Sequence, residues 1–384
     1  MSTGPNRLGV AYAANRLGVD VPADPSEIAF VHDSRRFDGL RNHCLEYAEA
    51  TEAAGTPVAL YTCVDPSARA EYAIDGTAIW GRRFPGVRLE MAANRGLGVF
   101  ARRIARLPQR LVHVGSVHLA GAASRRRGVV ITVADIAKRT TRLYSTAASW
   151  LHNFLLRSVH RAAAVTTPSE WVRADVAKVT GFPIERIVVA PLWARPPVPP
   201  IGEVPPPAYP SADHPWTVLL VSTDRPHKNI GAFLRLIRDL GPEYRGRFIG
   251  RASPATRVAV ERLGLSSRLS IGTDVPSMTN EYRAAQVLVQ PSRYEGFGGP
   301  VLEAMTHGVP VVVSRATALP ELVGDAGALV DPDDAAGWLA AVRALSAEGA
   351  WSAAHRRSLA RAAEYTIDRT GRALATAYEI ASLR

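Results

Sequence analysis

The stretch Gln290-Pro291-Ser292-Arg293-Tyr294-Glu295-Gly296-Phe297-Gly298-Gly299-Pro300-Val301-Leu302-Glu303-Ala304-Met305 constrains the fold more than any other part of the chain. It follows an apolar segment, Ala284 to Val289, whose Val-Leu-Val core predicts a buried strand of a parallel sheet. Pro291 has no N–H for a ladder and ends that strand. The glycines at 296, 298 and 299 let the backbone turn sharply and come close to a ligand. From Pro300 the pattern becomes helical, with proline suited to a first turn and Val301, Met305 and Val309 on one face. A strand, a glycine loop and a helix in that order aim bare N–H groups and the positive end of a helix dipole at one place, where phosphate is the usual guest.

Glu295 and Glu303 frame this loop, with seven residues between them. A carboxylate beside a phosphate is unfavourable unless it bonds something else, and sugar hydroxyls are the natural donors to it. Taken alone, Glu303 fits a solvated helix start equally well. The pair, with the glycine loop between, favours a hydroxyl-rich anionic ligand.

A chain of 384 residues predicts two domains rather than one core. Its 47% hydrophobic and 21% charged residues are ordinary globular usage. No apolar run approaches the roughly 18 residues of a membrane span, and Gly9 to Ala14 is too short for a signal core. The cysteines, Cys44 and Cys63, make neither a disulfide framework nor a zinc site, and a reduced, cytoplasmic chain is expected. The net charge of +11 is carried almost wholly by arginine, since only Lys138, Lys178 and Lys228 are lysines. Arg82-Arg83, Arg102-Arg103-Arg106-Arg110 and Arg125-Arg126-Arg127 crowd the first half. That field favours anionic partners, a peripheral contact with an anionic membrane among them, although coding bias alone would also enrich arginine. No nucleic-acid motif accompanies it, so no nucleic-acid partner is expected.

Glu295 to Glu303 resembles the E-x7-E signature of the retaining glycosyltransferases of family 4, in the form E-G-F-G-x-P-x-x-E-A-M. The resemblance continues through His307-Gly308-Val309-Pro310-Val311-Val312-Val313-Ser314 and Ala318-Leu319-Pro320-Glu321-Leu322-Val323-Gly324-Asp325-Ala326-Gly327. It is strong over residues 217 to 334 and looser over 28 to 195. It implies an α/β fold of the GT-B kind, two Rossmann-like doubly wound domains facing a central cleft. The expected activity is retaining transfer of a hexosyl unit from a UDP- or GDP-linked sugar to an acceptor hydroxyl, with no metal or other cofactor. A nucleotide-sugar epimerase or hydrolase, or a non-catalytic nucleotide- or glycan-binding partner on the same fold, is the alternative.

The predicted boundaries are an acceptor-binding domain over 1–195, a linker over 196–215, a donor-binding domain over 216–365 and a last helix, 366–384, crossing back to the first domain. The linker assignment rests on the ten prolines between Pro191 and Pro215, too many for a compact sheet or helix. In the first domain, Ile28 to His32, a helix from Leu40 to Ala54 stopped by Gly55, and Val58 to Cys63 read as a βαβ unit. Leu111 to Val114, Val129 to Val133, Ala162 to Pro168 and Ile187 to Ala190 read as further strands, with a serine turn at Ser169.

The resemblance assigns Gly39 to the loop facing the donor phosphates, though a lone glycine before a helix is equally an ordinary turn. It assigns His118 to the neighbourhood of the reacting carbon, where a packed or solvated histidine is the plainer reading. Family members often carry His-Asp after the next strand, and this chain has Ala134-Asp135. Asp135 is then an acceptor contact or a helix cap. In the second domain, Thr217 to Val221 is a buried strand, and Ser222-Thr223-Asp224-Arg225-Pro226-His227-Lys228-Asn229 resembles the segment whose lysine meets the diphosphate. An ammonium suits phosphate as a compact point charge. Thr223 stands where many relatives have Arg, and Arg225 is the candidate second cation. Phe248 to Gly250 and Leu269 to Gly272 read as strands, and Gly272 and Thr273 are candidates for contact with the base. The loop Glu295, Gly296, Phe297, Gly298, Gly299 and Glu303 completes the expected donor site. Asp331-Pro332-Asp333-Asp334 only superficially matches an Asp-x-Asp metal motif and is read as a helix start. Helices over about 336 to 346 and 352 to 382 close the chain.

Overall fold

The unbroken apolar runs become strands buried on both faces, as parallel sheets covered by helices require. The computed structural model describes residues 28–32, 39–62, 77–78, 102, 104–136, 156–197 and 205–383. Gly9 to Ala14, Cys63, Arg82, Arg83, Arg103, Lys138 and part of the proline-rich segment lie outside the described residues. The first sheet contains β1 (Ile28–His32), β2 (Val58–Thr62), β3 (Thr77–Ala78), β4 (Leu111–Val114), β5 (Val129–Thr132), β6 (Ala164–Thr167) and β7 (Ile187–Val189). The second contains β8 (Trp216–Val221), β9 (Tyr244–Ile249), β10 (Leu269–Gly272), β11 (Val287–Gln290), β12 (Val311–Ser314) and β13 (Ala328–Val330). All pairings are parallel, in the orders β3-β2-β1-β4-β5-β6-β7 and β10-β9-β8-β11-β12-β13.

Both orders turn back on themselves beside the first strand of the sheet. In the second sheet β8 lies between β9 and β11, with Val218 opposite Val287 and Leu219 opposite Leu288. Connections leave to opposite faces at such a switch point, so the crevice beyond those strand ends is where ligands bind. The loops after β8 and β11, which carry Lys228 and Glu295, therefore start side by side.

Some boundaries differ from expectation. Ala284 ends a short helix, Met278–Ala284, capped by Ser277, and the strand begins only at Val287. β9 extends back to Tyr244 although Arg245, Gly246 and Arg247 interrupt its apolar pattern. The single long C-terminal helix is two, Ala350–Ala362 and Ile367–Ser382, following Ala335–Ala344. Thr366 causes the break: its backbone is extended and its side chain accepts the Arg369 N–H at 3.2 Å, starting a new helix.

That last helix packs on the helix Gly39–Ala53 and on the first sheet. Leu374, Ala377 and Tyr378 share a buried cluster with Ile28, Phe30, Tyr47 and Val130. His113 of β4 lies fully buried beneath it, with Nδ1 2.9 Å from the Tyr378 hydroxyl and Nε2 2.7 Å from Thr132 Oγ1. Burial first, and the nearby His43, push His113 down to about 3, so it is neutral at ordinary pH. It is a packing histidine. Leu374→Ala, a change in the last helix, should destabilise the first sheet by about 2–5 kcal/mol. Urea unfolding followed through a probe in residues 104–136 checks this.

Candidate donor site between the two sheets

The two loops at the second sheet's switch point are stitched together by their backbones. Asn229, held at a left-handed φ of 54°, donates through Nδ2 to the carbonyls of Pro291 and Pro332, each at 3.1 Å. The Arg293 N–H donates to the His227 carbonyl at 2.7 Å. This brings Lys228 onto Glu295: Nζ donates to Oε1 at 2.8 Å and to Oε2 at 2.7 Å. Oε1 also accepts from Gln290 Nε2 at 2.9 Å and from Ser292 Oγ at 2.8 Å. Thr317 fixes the backbone below: its Oγ1 accepts the Glu295 N–H and donates to the Glu295 carbonyl, both at 2.9 Å.

Burial pushes the Glu295 carboxyl up, but the charge and hydrogen bonds of Lys228, with Ser292 and His227, more than offset this and hold it below the ordinary carboxylate range. A depressed carboxyl contributes stability above its unfolded value and loses it as pH falls through the folded one. Glu295 is therefore ionised throughout the neutral range. His227 is pushed down to about 4 by burial first and by Lys228 next, while the negative charges of Glu295 and Asp135 oppose this. The imidazole is neutral there.

The other expected residues divide clearly. Thr223 and Arg225 are exposed on the Lys228 loop. Gly298 caps the helix Gly299–Thr306 with a φ of 108°, a conformation that favours glycine, and a Cβ built on Gly299 would meet open space. Glu303, further along that helix, accepts from the Tyr282 hydroxyl at 2.6 Å. Its charge adds to the larger effect of burial in raising the Glu46 carboxyl of the first domain to about 7, against the lowering effect of Arg195. Gly39 opens the helix after β1, and His118 lies in the 3-10 turn after β4; the His118 side chain is outside the described residues.

The Phe297 side chain is buried in the core against Tyr365, with ring centroids 5.8 Å apart, which leaves its backbone to face the glycine loop. Gly272 belongs to the edge strand β10, and a Cβ there would meet Arg247 at 2.7 Å. Gly272 therefore packs on a side chain of its own sheet. Its neighbour Thr273 is exposed, with Oγ1 3.4 Å from the Gly250 carbonyl, and neither residue touches the Lys228–Glu295 pair.

Contacts across the domains converge on the glycine loop. The Ile136 N–H donates to the Tyr294 hydroxyl at 3.0 Å, and Trp171 meets the Tyr294 ring edge-on at 5.2 Å. Ser169 Oγ donates to the Gly296 carbonyl at 2.8 Å. Glu321 accepts the N–H groups of Glu170 and Trp171 at 2.9 and 3.2 Å, holding the start of the helix Glu170–Thr180. Asp135 is exposed beside Gly296, where an added Cβ would lie 2.1 Å from the Ala134 carbonyl oxygen. Sequence reasoning gave no role to Gln290, Ser292, Thr317, Tyr294 or Ser169 in this site.

Elsewhere, Asp334 caps the helix Ala335–Ala344 through the Gly337 N–H at 2.9 Å, and Asp333 pairs with Arg293. Among the described residues no group of His, Cys, Asp and Glu could hold a metal, and no helix is long and apolar enough to cross a membrane. Arg126 is turned inward, donating to the carbonyls of Leu107 at 3.0 Å and Gln109 at 2.6 Å, which removes one cation from the basic surface.

Residues 37–193 match the model of Glycosyltransferase Family 4, and residues 216–348 match that of Glycosyl transferases group 1. The chain belongs to family 4 of the glycosyltransferases. It is 30% identical over 246 residues, 60% of this chain and 64% of the relative, to the O-antigen chain mannosyltransferase B of Escherichia coli. It is 34% identical over 126 residues to the MMP alpha-(1->4)-mannosyltransferase of Mycolicibacterium hassiacum, covering 30% of this chain and 31% of that one. The family 4 chain thus matches less than two thirds of the length of either relative. Its fold is shared with sucrose-phosphate synthase of Thermosynechococcus elongatus (TM-score 0.73, 20% identity, 92% and 98% of the two chains). It is shared also with Anabaena HepE bound to UDP and glucose (TM-score 0.70, 16% identity, 91% and 98% of the two chains). These likenesses establish the GT-B architecture of two facing Rossmann-like domains.

Gly296→Ala should force the loop away from Ala134 and open the arrangement without unfolding either sheet. Small-angle scattering should report a larger radius of gyration with an unchanged far-UV dichroism spectrum.

Proposed function

We propose that this chain transfers a glycosyl unit from a nucleotide diphosphate sugar to an acceptor hydroxyl, with retention at the anomeric carbon. The observation that carries the reading is the Lys228–Glu295 pair, with Nζ 2.8 and 2.7 Å from the carboxylate oxygens at the switch point of the second sheet. The diphosphate takes Lys228, and the sugar hydroxyls donate to the Glu295 carboxylate. Arg225 and the N–H groups of Gly298 and Gly299 add to the field that stabilises charge on the departing diphosphate. The proposed reaction needs no metal ion, because these groups supply the positive charge. Glu303 accepts from the nucleotide ribose.

No side chain is assigned as a covalent nucleophile. The departing phosphate oxygen takes the acceptor proton on the same face as bond formation. Asp135, beside Gly296, and His118 on the turn after β4 are the proposed acceptor-side contacts. Closure of the domains over the donor limits hydrolysis. The mannosyltransferase names of the sequence relatives make mannose the sugar to test first and a glycan hydroxyl the acceptor. The UDP bound to HepE supports a nucleotide diphosphate in the same fold. Arg102, Arg106, Arg125 and Arg127 are exposed on the first domain and support a peripheral contact with anionic membrane, read by co-sedimentation with phosphatidylglycerol vesicles.

Lys228→Ala and Glu295→Ala should leave the chain folded, at a lower melting temperature because each strands the opposite charge of a buried pair, and lower transfer from GDP-mannose or UDP-glucose at least roughly a hundred- to thousandfold. Mass spectrometry of products made in cell extract checks this. Full turnover by Lys228→Ala would refute the phosphate assignment. Donor consumption by the wild type without any acceptor would indicate a hydrolase or epimerase instead.

A further inference from the structure

The two oxygens of Glu295 are unequal. Among the described residues, Oε1 accepts from three donors, Lys228 Nζ, Gln290 Nε2 and Ser292 Oγ, whereas Oε2 accepts from Lys228 alone. Gln290 and Ser292 are 1% and 0% exposed, so these bonds are not shared with bulk water. The Gln290 amide donates from the same Nε2 to Ser292 Oγ at 2.9 Å, while its own oxygen is buried with no hydrogen-bond partner. The amide is thus oriented by what its nitrogen reaches, Ser292 and Glu295. The Ser292 backbone is fixed in turn, its carbonyl accepting from Ser314 Oγ.

We propose that Ser292 and Gln290 are positioning residues that saturate Oε1 of Glu295 and so reserve Oε2 as the oxygen that exchanges Lys228 for a saccharide hydroxyl. This rests on the donor-site reading above. Without donor, Lys228 occupies both oxygens. When a diphosphate draws Lys228 away, Oε1 keeps two donors and stays in place. Oε2 loses its only one and presents open acceptor capacity to the sugar. The carboxylate is thereby kept from turning with the lysine, and the gain in binding is tied to the sugar rather than to the nucleotide.

The test compares GDP with GDP-mannose, or UDP with UDP-glucose, whichever pair the wild-type chain binds, by calorimetry. Ser292→Ala and Gln290→Leu should leave nucleotide diphosphate affinity unchanged. They should reduce the extra affinity from the sugar and lower kcat/KM about ten- to a hundredfold, the range for losing a hydrogen bond to a charged group. They should also move the acid limb of the pH profile upward, because each removes a donor that favours the ionised carboxyl. The charged and titratable groups facing that carboxyl are Lys228 and His227 of the loop after β8, with Asp135 of the first domain acting on His227. Melting temperature is measured first, and whichever variant folds carries the test. An unshifted acid limb with a normal sugar increment would overturn the proposal. So would a fall in nucleotide diphosphate affinity that matches the loss for the sugar donor, since that marks a merely structural role. A wild type that gains nothing from the sugar moiety would instead overturn the underlying donor-site reading.

Discussion

A lysine and a glutamate removed from bulk water hold the centre of this molecule. Each ion alone would lose several kcal/mol of hydration on entering a protein interior, and the attraction between them recovers that only with good geometry and satisfied remaining valences. Both conditions are met. The ammonium straddles both carboxylate oxygens, and Gln290 and Ser292 fill the rest of Oε1. Such a pair is a weak source of fold stability but a strong constraint on arrangement, because either charge left alone would be costly. The left-handed Asn229 and Thr317, with φ of 54° and 53°, are backbone costs accepted where they keep the pair in register.

The pair also explains the convergence of cross-domain contacts on residues 294–296. The loop bearing Glu295 offers Tyr294 and the Gly296 carbonyl to the first domain, so the surface that closes over the site is built from the site's own backbone. Glu321 adds a carboxylate at the start of the helix Glu170–Thr180, where bare N–H groups and the helix dipole favour negative charge. A change in the loop is transmitted to the opposite domain through at most one side chain.

Much of this was readable from local patterns. The buried strands follow from runs such as Val311-Val312-Val313, and Lys228 stood out in a chain that otherwise uses arginine. The break at Thr366 was missed because the alanine-rich sequence on either side carries a helical signal, and only the cap chemistry of one threonine interrupts it. The Phe297 ring turns into the core against Tyr365, an orientation that the E-G-F-G pattern does not encode. Glu321 reads locally as an acidic residue in the first turn of its own helix, Leu319–Val323. Its partners lie about 150 residues away, as Ser169 lies 127 residues from Gly296. No periodicity or short motif encodes such pairings, because closure of the tertiary fold creates them.

The chain passes between its two sheets twice, once after β7 through the proline-rich segment and once just before Ile367. The passages touch: the Ala194 N–H donates to the Tyr365 carbonyl at 2.8 Å, and Thr370 Oγ1 donates to the Pro191 carbonyl at 2.8 Å. A body tethered by one strand can tumble, whereas two adjacent tethers act like the paired pins of a door. Any motion of one half against the other would have to work about this doubled joint.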